Sequence, residues 1–260
     1  MTMSAPVLAD ASPSLTGGCR TLHLPAEAEA PGLTLWVNKP SGERPPPGWP
    51  ALILLDGEAY FTAAAEMAQR LARRSAKTRV DPMIVVGLTL DHAHDRHAAF
   101  RFDADQSNGQ PQGRQLLRRL VAEVLPLLAA DGADPAKLTL MGHSMSGLFV
   151  LEARAAAAPF ARHIAISPSI WGTPGVVTAQ PSRSECFDDL IVIVGGLEEI
   201  DGLSQAHLDR RMISNARSLV DRGGVRFNVL DGEDHGSAPY ASLPAALRFA
   251  SQHEPFAHHR

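Results

Sequence analysis

Three kinds of residue occur in the order that acyl-transfer chemistry by a serine requires: a serine on a tight turn, then an acidic cluster, then a histidine. Ser144 lies in Gly142-His143-Ser144-Met145-Ser146-Gly147, directly after the apolar run Leu138-Thr139-Leu140-Met141. Residues 147–158, almost all apolar or small, follow it. Strand, Gly-x-Ser-x-small turn and helix together form the context of a nucleophile elbow. The serine then stands at a sheet edge beside the positive end of the next helix. One detail departs from the usual motif: Ser146 occupies the fifth position, where glycine is common, and Gly147 comes one residue later.

A serine hydroxyl is a poor nucleophile near neutral pH and needs a general base. In this class of site the acid and the base follow the nucleophile along the chain, each on a loop at a strand end. The apolar run 190–194 leads into Gly195-Gly196-Leu197-Glu198-Glu199-Ile200-Asp201, and the run 225–230 leads into Asp231-Gly232-Glu233-Asp234-His235-Gly236. His235 is therefore the expected base, taking the Ser144 proton and later returning it to the leaving group. Glu198 is the preferred orienting acid, ahead of Glu199 and Asp201, and a Ser-His dyad with no acid is the alternative. An oxyanion hole is expected from the backbone N–H of Met145 and a second N–H, of Gly57 or Glu58, in the loop after the run 51–55. The competing readings are a plain Gly/Ser turn, an ordinary Asp-Gly turn at 56–57 and a surface loop histidine.

The elements that must position these residues read as follows. Residues 21–25 and 33–37 form an antiparallel pair. Residues 51–55, 83–88, 137–141, 163–167, 190–194 and 225–230 are further strands. Helical spacing covers 60–74, 115–130, 147–158, 203–220 and 241–251, while 91–113 is polar without a period and reads as a long loop. Alternating strands and helices predict an α/β fold with a mostly parallel sheet of about eight strands and helices on both faces. Residues 1–18 read as a flexible tail and 19–260 as a single domain.

The 260 residues, 45% hydrophobic and 20% charged, are those of an ordinary globular protein. The net charge of −4 argues against nonspecific nucleic-acid binding. No run of 18 apolar residues predicts a membrane span. Residues 1–18 lack the basic and apolar regions of a secretory signal, so a cytoplasmic location is expected. Cys19 and Cys186 form no metal or redox motif and read as buried or idle thiols. Asp91-His92-Ala93-His94-Asp95-Arg96-His97 looks like a metal site at first sight. Arg96, however, stands where the binuclear-zinc pattern His-x-His-x-Asp-His has its aspartate, so a solvated loop without metal is expected, and no cofactor is. His258 and His259 read as part of a tail.

The chain resembles the siderophore-esterase branch of the esterase D type of α/β-hydrolases over roughly residues 30–253. The matching stretches are Leu54-Leu55-Asp56-Gly57, Arg114-Gln115-Leu116-Leu117, Gly142-His143-Ser144, Gly147-Leu148-Phe149-Val150-Leu151, Ser167-Pro168-Ser169 and His235-Gly236. The resemblance implies the α/β-hydrolase fold, with Ser144 as nucleophile and His235 as base. It implies hydrolysis of cyclic or linear tri-esters of acylated serine, usually with ferric iron bound. Some members work with a Ser-His dyad. Others have an acid in a Gly-x-Leu-Glu segment, which Gly195-Gly196-Leu197-Glu198 resembles. The chain departs from the branch at Arg101-Phe102-Asp103-Ala104, where an Arg-Asp-Tyr/Phe-Thr-Pro stretch is usual, and typical members are exported.

A ferric tris-catecholate is anionic, so a basic lining is expected, with Arg96, Arg101 and Arg114 as candidates. Tyr60, Trp171 and His143 are candidates for the substrate pocket, Tyr60 and Trp171 being equally compatible with the core. The expected partner is a small-molecule ester, an iron-siderophore complex first among them. Two other functions fit the same residues: a general esterase for small acyl or aryl esters, and a non-catalytic binding protein on the same fold.

Overall fold

The expected strands join into one sheet in the computed structural model, which describes residues 9–10, 18–27, 30–91, 95–103, 110–180, 189–220 and 225–251. The strands are β1 (Ala9–Asp10), β2 (Cys19–Leu24), β3 (Leu33–Asn38), β4 (Trp49–Leu55), β5 (Ile84–Leu90), β6 (Ala133–His143), β7 (Arg162–Ile166), β8 (Leu190–Gly195) and β9 (Val225–Leu230). Their order across the sheet is β1-β2-β3-β5-β4-β6-β7-β8-β9. All eight expected strands are present. A ninth, the two-residue β1, lies inside the stretch read as a tail and pairs antiparallel with Arg20 and Thr21 of β2. β3 lies antiparallel between β2 and β5, and from β5 to β9 the pairing is parallel.

Side-chain alternation sends β4 residues into two cores, one on each face of the sheet. Ile53 and Leu55 pack with Leu116, Leu120, Leu148 and Phe149. Leu52 and Leu54 pack with Phe61, Ala64, Ala68 and Leu247 from helices Gly57–Ala72 and Leu243–Ala250. Burial on both faces is why the central strands read as unbroken apolar runs.

β4 is flanked by β5 on one side and β6 on the other. The chain leaves β4 toward one edge and later returns to build the other, so connections diverge at the carboxyl ends of β4 and β6. Such a switch point opens a crevice at the strand ends. Asp56-Gly57 and Ser144 sit directly after those two strands.

Four stretches differ from expectation. The helix read over 115–130 starts at Gly113 and widens to a π turn over Leu120–Val124 before continuing as Leu125–Ala130. Pro126 has no N–H to offer the carbonyl of Ala122, and the widened ladder absorbs the gap. Within the supposed polar loop 91–113, Arg96–Ala99 is a short helix capped by Asp95, whose carboxylate accepts the His97 N–H at 2.9 Å. It carries Phe100 fully into the core. The single amphipathic helix read over 203–220 is instead two short ones, Gln205–Leu208 and Met212–Arg217. Arg211 between them is left-handed, at φ 47°. Asp209-Arg210-Arg211 offers no apolar residue for a full turn, and Glu199 supplies a fresh start by accepting the Ser214 N–H at 2.8 Å. The last helix likewise divides into Ala238–Ala241 and Leu243–Ala250, with Pro244 opening the second.

Candidate active site

β6 ends at His143, and Ser144 links it to helix Met145–Ala155 with φ 60° and ψ −114°. A non-glycine residue with this backbone is strained, and the strain aims the side chain out of the turn. Several bonds hold it there. The Ser144 N–H donates to Ile166 O at 2.9 Å, and Ser144 O accepts from the N–H groups of Leu148 and Ser169, both at 3.0 Å. A Cβ at Gly142 would lie 2.3 Å from Ser146 O, and one at Gly147 would lie 2.9 Å from Ile166 O. The turn therefore needs its glycines at 142 and 147, and position 146 has room for a side chain.

Loops after β7, β8 and β9 bring the acid and base together. Glu198 is buried, and its Oε2 lies 2.6 Å from His235 Nδ1. Its other oxygen accepts the Ser167 hydroxyl at 2.5 Å and the Gly195 N–H at 2.7 Å. Burial works against ionisation of Glu198, but the bonds from His235, Ser167 and Gly195 outweigh it and hold the carboxyl below its ordinary pKa. A carboxylate only accepts, so the His235 proton sits on Nδ1 and Nε2 keeps its lone pair. Glu199 turns away: both of its oxygens serve Ser214, at 2.8 Å from the N–H and 2.6 Å from the hydroxyl. Asp201 is exposed to solvent. Of the three candidate acids, only Glu198 is joined to the histidine. The Ser144 hydroxyl lies 3.2 Å from Ser169 Oγ.

His143 forms a neutral wall beside His235, with ring centroids 4.6 Å apart. Burial, reinforced by the nearby His235, lowers the His143 pKa to about 4. Its Nδ1 is 3.0 Å from the Tyr60 hydroxyl. Burial and the Asp56 charge push Tyr60 up to about 12. Tyr60 also stacks edge-on against Tyr240 at 5.3 Å. Tyr60 is thus mostly buried behind the site, while Trp171 is 46% exposed beside it, with the Arg210 guanidinium 5.3 Å from its ring.

The Glu58 N–H is directed at Thr89 Oγ1, 3.2 Å away, and Thr89 in turn donates to Glu58 Oε2 at 2.8 Å. Gly57, the first residue of its helix, keeps its N–H outside the helical ladder. Glycine is required there because a Cβ would lie 2.6 Å from the backbone of Gly87 on β5. Met145 opens helix Met145–Ala155, so its N–H is also an unladdered donor.

The three arginines are placed differently from one another. Arg96 forks onto Asp56, with both bonds at 2.6 Å, and reaches His143 O at 3.3 Å. Burial opposes its charge, yet Asp56 outweighs that and raises its pKa. Arg101 is buried and engaged by its surroundings. Arg114 is exposed, 3.3 Å from Asp103 and over the Phe102 ring. Among the described residues no three His, Cys, Asp or Glu side chains gather as metal ligands. His92, His94, Cys186, His258 and His259 lie outside the described residues, and Cys19 is a half-buried free thiol.

Sequence reasoning missed Ser167, Ser169, Arg210 and the partnership of Ser146 with Asp56. The signals for the two serines were their place after a strand and the match of Ser167-Pro168-Ser169 to the siderophore-esterase branch. Nothing in the spacing pointed to Arg210.

Residues 33–207 match the putative esterase family. The chain belongs to that family. The esterase is a carboxylic-ester hydrolase, and it is 30% identical over 248 residues to the ferri-bacillibactin esterase BesA of Bacillus subtilis strain 168, covering 83% of each protein. Its α/β-hydrolase fold superimposes on that of the BES protein from Bacillus cereus with a TM-score of 0.75, at 23% identity over 93% of this chain and 98% of the other. The siderophore hydrolase EstB from Aspergillus nidulans matches with a TM-score of 0.74, also at 23% identity, over 92% and 97%. Among the described residues no helix is long and apolar enough to cross a membrane.

Proposed function

We propose that the esterase hydrolyses the ester bonds of an iron-chelating siderophore of the tri-ester type, through an acyl-serine intermediate. The observation that carries the chemistry is the 2.6 Å bond between Glu198 and His235 Nδ1 in the loops facing the Ser144 elbow. The substrate class rests on the relative that acts on ferri-bacillibactin.

His235 Nε2 takes the Ser144 proton as Oγ attacks the ester carbonyl carbon. The carbonyl oxygen becomes an oxyanion, received by the N–H groups of Met145 and Gly57. Glu198 keeps the imidazole in the required tautomer and stabilises the imidazolium. As the tetrahedral species collapses, His235 gives the proton to the departing alcohol and Ser144 holds the acyl group. Water, deprotonated by His235, then attacks the acyl carbon, and the acid leaves with Ser144 restored. Neutral His143 and Tyr60 add no charge beside the imidazolium. The exposed Trp171, with Arg210 against it, offers an aromatic and cationic surface of the kind that suits an anionic ferric catecholate.

The test begins with p-nitrophenyl butyrate, which should be cleaved with a burst of nitrophenol. Turnover no higher than that of Ser144→Ala would remove the catalytic reading. Comparing kcat/KM on ferric enterobactin with that on short aryl esters then tests the substrate. Neglect of the trilactone would move the protein to a general carboxylesterase.

A further inference from the structure

The two N–H groups assigned to the oxyanion hole come from separate crossover connections. Met145 opens the helix after β6 and Gly57 the helix after β4. Their neighbours are joined directly. Ser146, next to Met145, is fully buried, and its hydroxyl donates to Asp56 Oδ2 at 2.6 Å. Asp56, next to Gly57, is held in a left-handed conformation at φ 55°.

The bond is well supported on both sides. Ser146 Oγ accepts the His143 N–H at 2.8 Å, which orients the hydroxyl. His143 O lies 2.9 Å away as a second acceptor for the same proton, but the carboxylate is nearer and charged, so it holds the hydrogen. Arg96 forks onto both Asp56 oxygens and neutralises the buried charge. Arg96 Nη2 also reaches His143 O, so the clasp touches the residue on each side of Ser144-Met145. A glycine at 146, the usual residue of the motif, would remove the bond from the elbow to Asp56 and leave only the longer reach of Arg96 to His143 O.

We propose that Ser146 is a positioning residue for the reaction. Its hydroxyl, bonded to Asp56 and backed by Arg96, sets the spacing between the Met145 and Gly57 N–H groups. This rests on the acyl-serine reading above. An oxyanion hole works by aiming donors at the position where charge develops in the transition state, so a change in spacing lowers kcat while ground-state binding stays. Complete loss of one donor costs roughly 10²- to 10³-fold in kcat, so loosening one is expected to cost about 10- to 100-fold.

The experiment compares Ser146→Ala and Ser146→Gly with the parent on p-nitrophenyl butyrate, with active sites counted by burst amplitude. The expected result is kcat per titrated site lower by about 10- to 100-fold, KM within about twofold, and the inhibition constant of butylboronic acid raised by the same factor as kcat falls. Boronate is the informative probe because its tetrahedral adduct occupies the hole, whereas the substrate ground state does not. A merely structural role would lower burst amplitude and melting temperature without moving either per-site quantity. Wild-type kcat per site in Ser146→Gly overturns the proposal, as does a loss confined to KM or to burst amplitude. Should neither variant accumulate, Arg96→Lys, which keeps the charge and loses the fork, should show the same paired change in kcat and boronate affinity, and its absence also overturns the proposal. Failure of the underlying reading looks different, since turnover would then survive in Ser144→Ala.

Discussion

His235 Nδ1 lies 2.6 Å from Glu198 Oε2, while Glu199, the next residue, turns away and binds Ser214 with both oxygens. Two adjacent carboxylates thus have separate tasks. Glu198→Gln should lower kcat by about 10²- to 10⁴-fold, because an amide can donate to Nδ1 and favour the wrong tautomer. Glu199→Gln should keep kcat within about twofold, and Glu199→Ala should cost about 1 kcal/mol of stability through the lost cap on helix Met212–Arg217. Steady-state kinetics and urea unfolding on the three variants separate these effects. The reverse ordering of kcat would move the acid to Glu199.

Glu198 has support of its own in Ser167, whose hydroxyl donates to Oε1 at 2.5 Å from a backbone at φ 41°. Ser167→Ala leaves that oxygen with the Gly195 N–H and removes one of the bonds that keep the carboxyl ionised. The expected loss is about tenfold in kcat, with the Glu198 carboxyl, followed by NMR as the pH is lowered, taking up its proton at higher pH than in the parent. A Ser167→Ala enzyme with kcat and Glu198 protonation unchanged would show that Gly195 and His235 suffice.

The chemistry was legible because it follows local rules. The elbow needs small residues at fixed offsets from Ser144, and chain order places His235 in the loop after the last strand. The parallel sheet was legible for a related reason, since strands buried on both faces leave unbroken apolar runs. What stayed hidden depends on contacts between distant segments. Glu198 is preferred over Glu199 and Asp201 in sequence and fits a Gly-x-Leu-Glu segment, but the contact that separates the three comes from the β9 loop, far along the chain. Ser146 looked like an imperfect glycine, because its partner Asp56 is 90 residues away. The break in the 203–220 helix was missed because the bond that restarts the helix comes from Glu199, outside the window that periodicity reads. The short helix Arg96–Ala99 was missed because four residues are too few to reveal a period.

On the proposed siderophore reading, the exposed Trp171 and the half-buried Arg210 would together discriminate substrates, the guanidinium lying 5.3 Å from the indole ring. Arg210→Ala removes a cation that an anionic ferric catecholate would meet and that a neutral aryl ester would not. The expected outcome is about a tenfold loss in kcat/KM on ferric enterobactin and less than twofold on p-nitrophenyl butyrate. Raising the salt concentration should weaken the siderophore reaction of the parent more than that of the variant. Equal losses on both substrates would place Arg210 in the structure of the loop rather than in recognition.

Glu152, on helix Met145–Ala155, provides a stability test independent of any substrate. It is 7% exposed, and among the described residues its Oε2 has no hydrogen-bond partner. Its other support is the Phe102 N–H. Burial raises its pKa from 4.5 to about 7, with the Asp103 charge adding to the effect. The unfolded chain releases this proton near its ordinary value, while the folded chain keeps it until about pH 7. Between those values the folded state binds more protons, so stability falls as pH rises and then levels off. The full penalty is up to about 3 kcal/mol. Glu152→Gln, which cannot ionise, should match the parent near pH 4.5 and exceed it by up to that amount at pH 8. Urea unfolding across this range decides the matter, and parallel curves for the two proteins would mean that Glu152 ionises alike in the folded and unfolded chains.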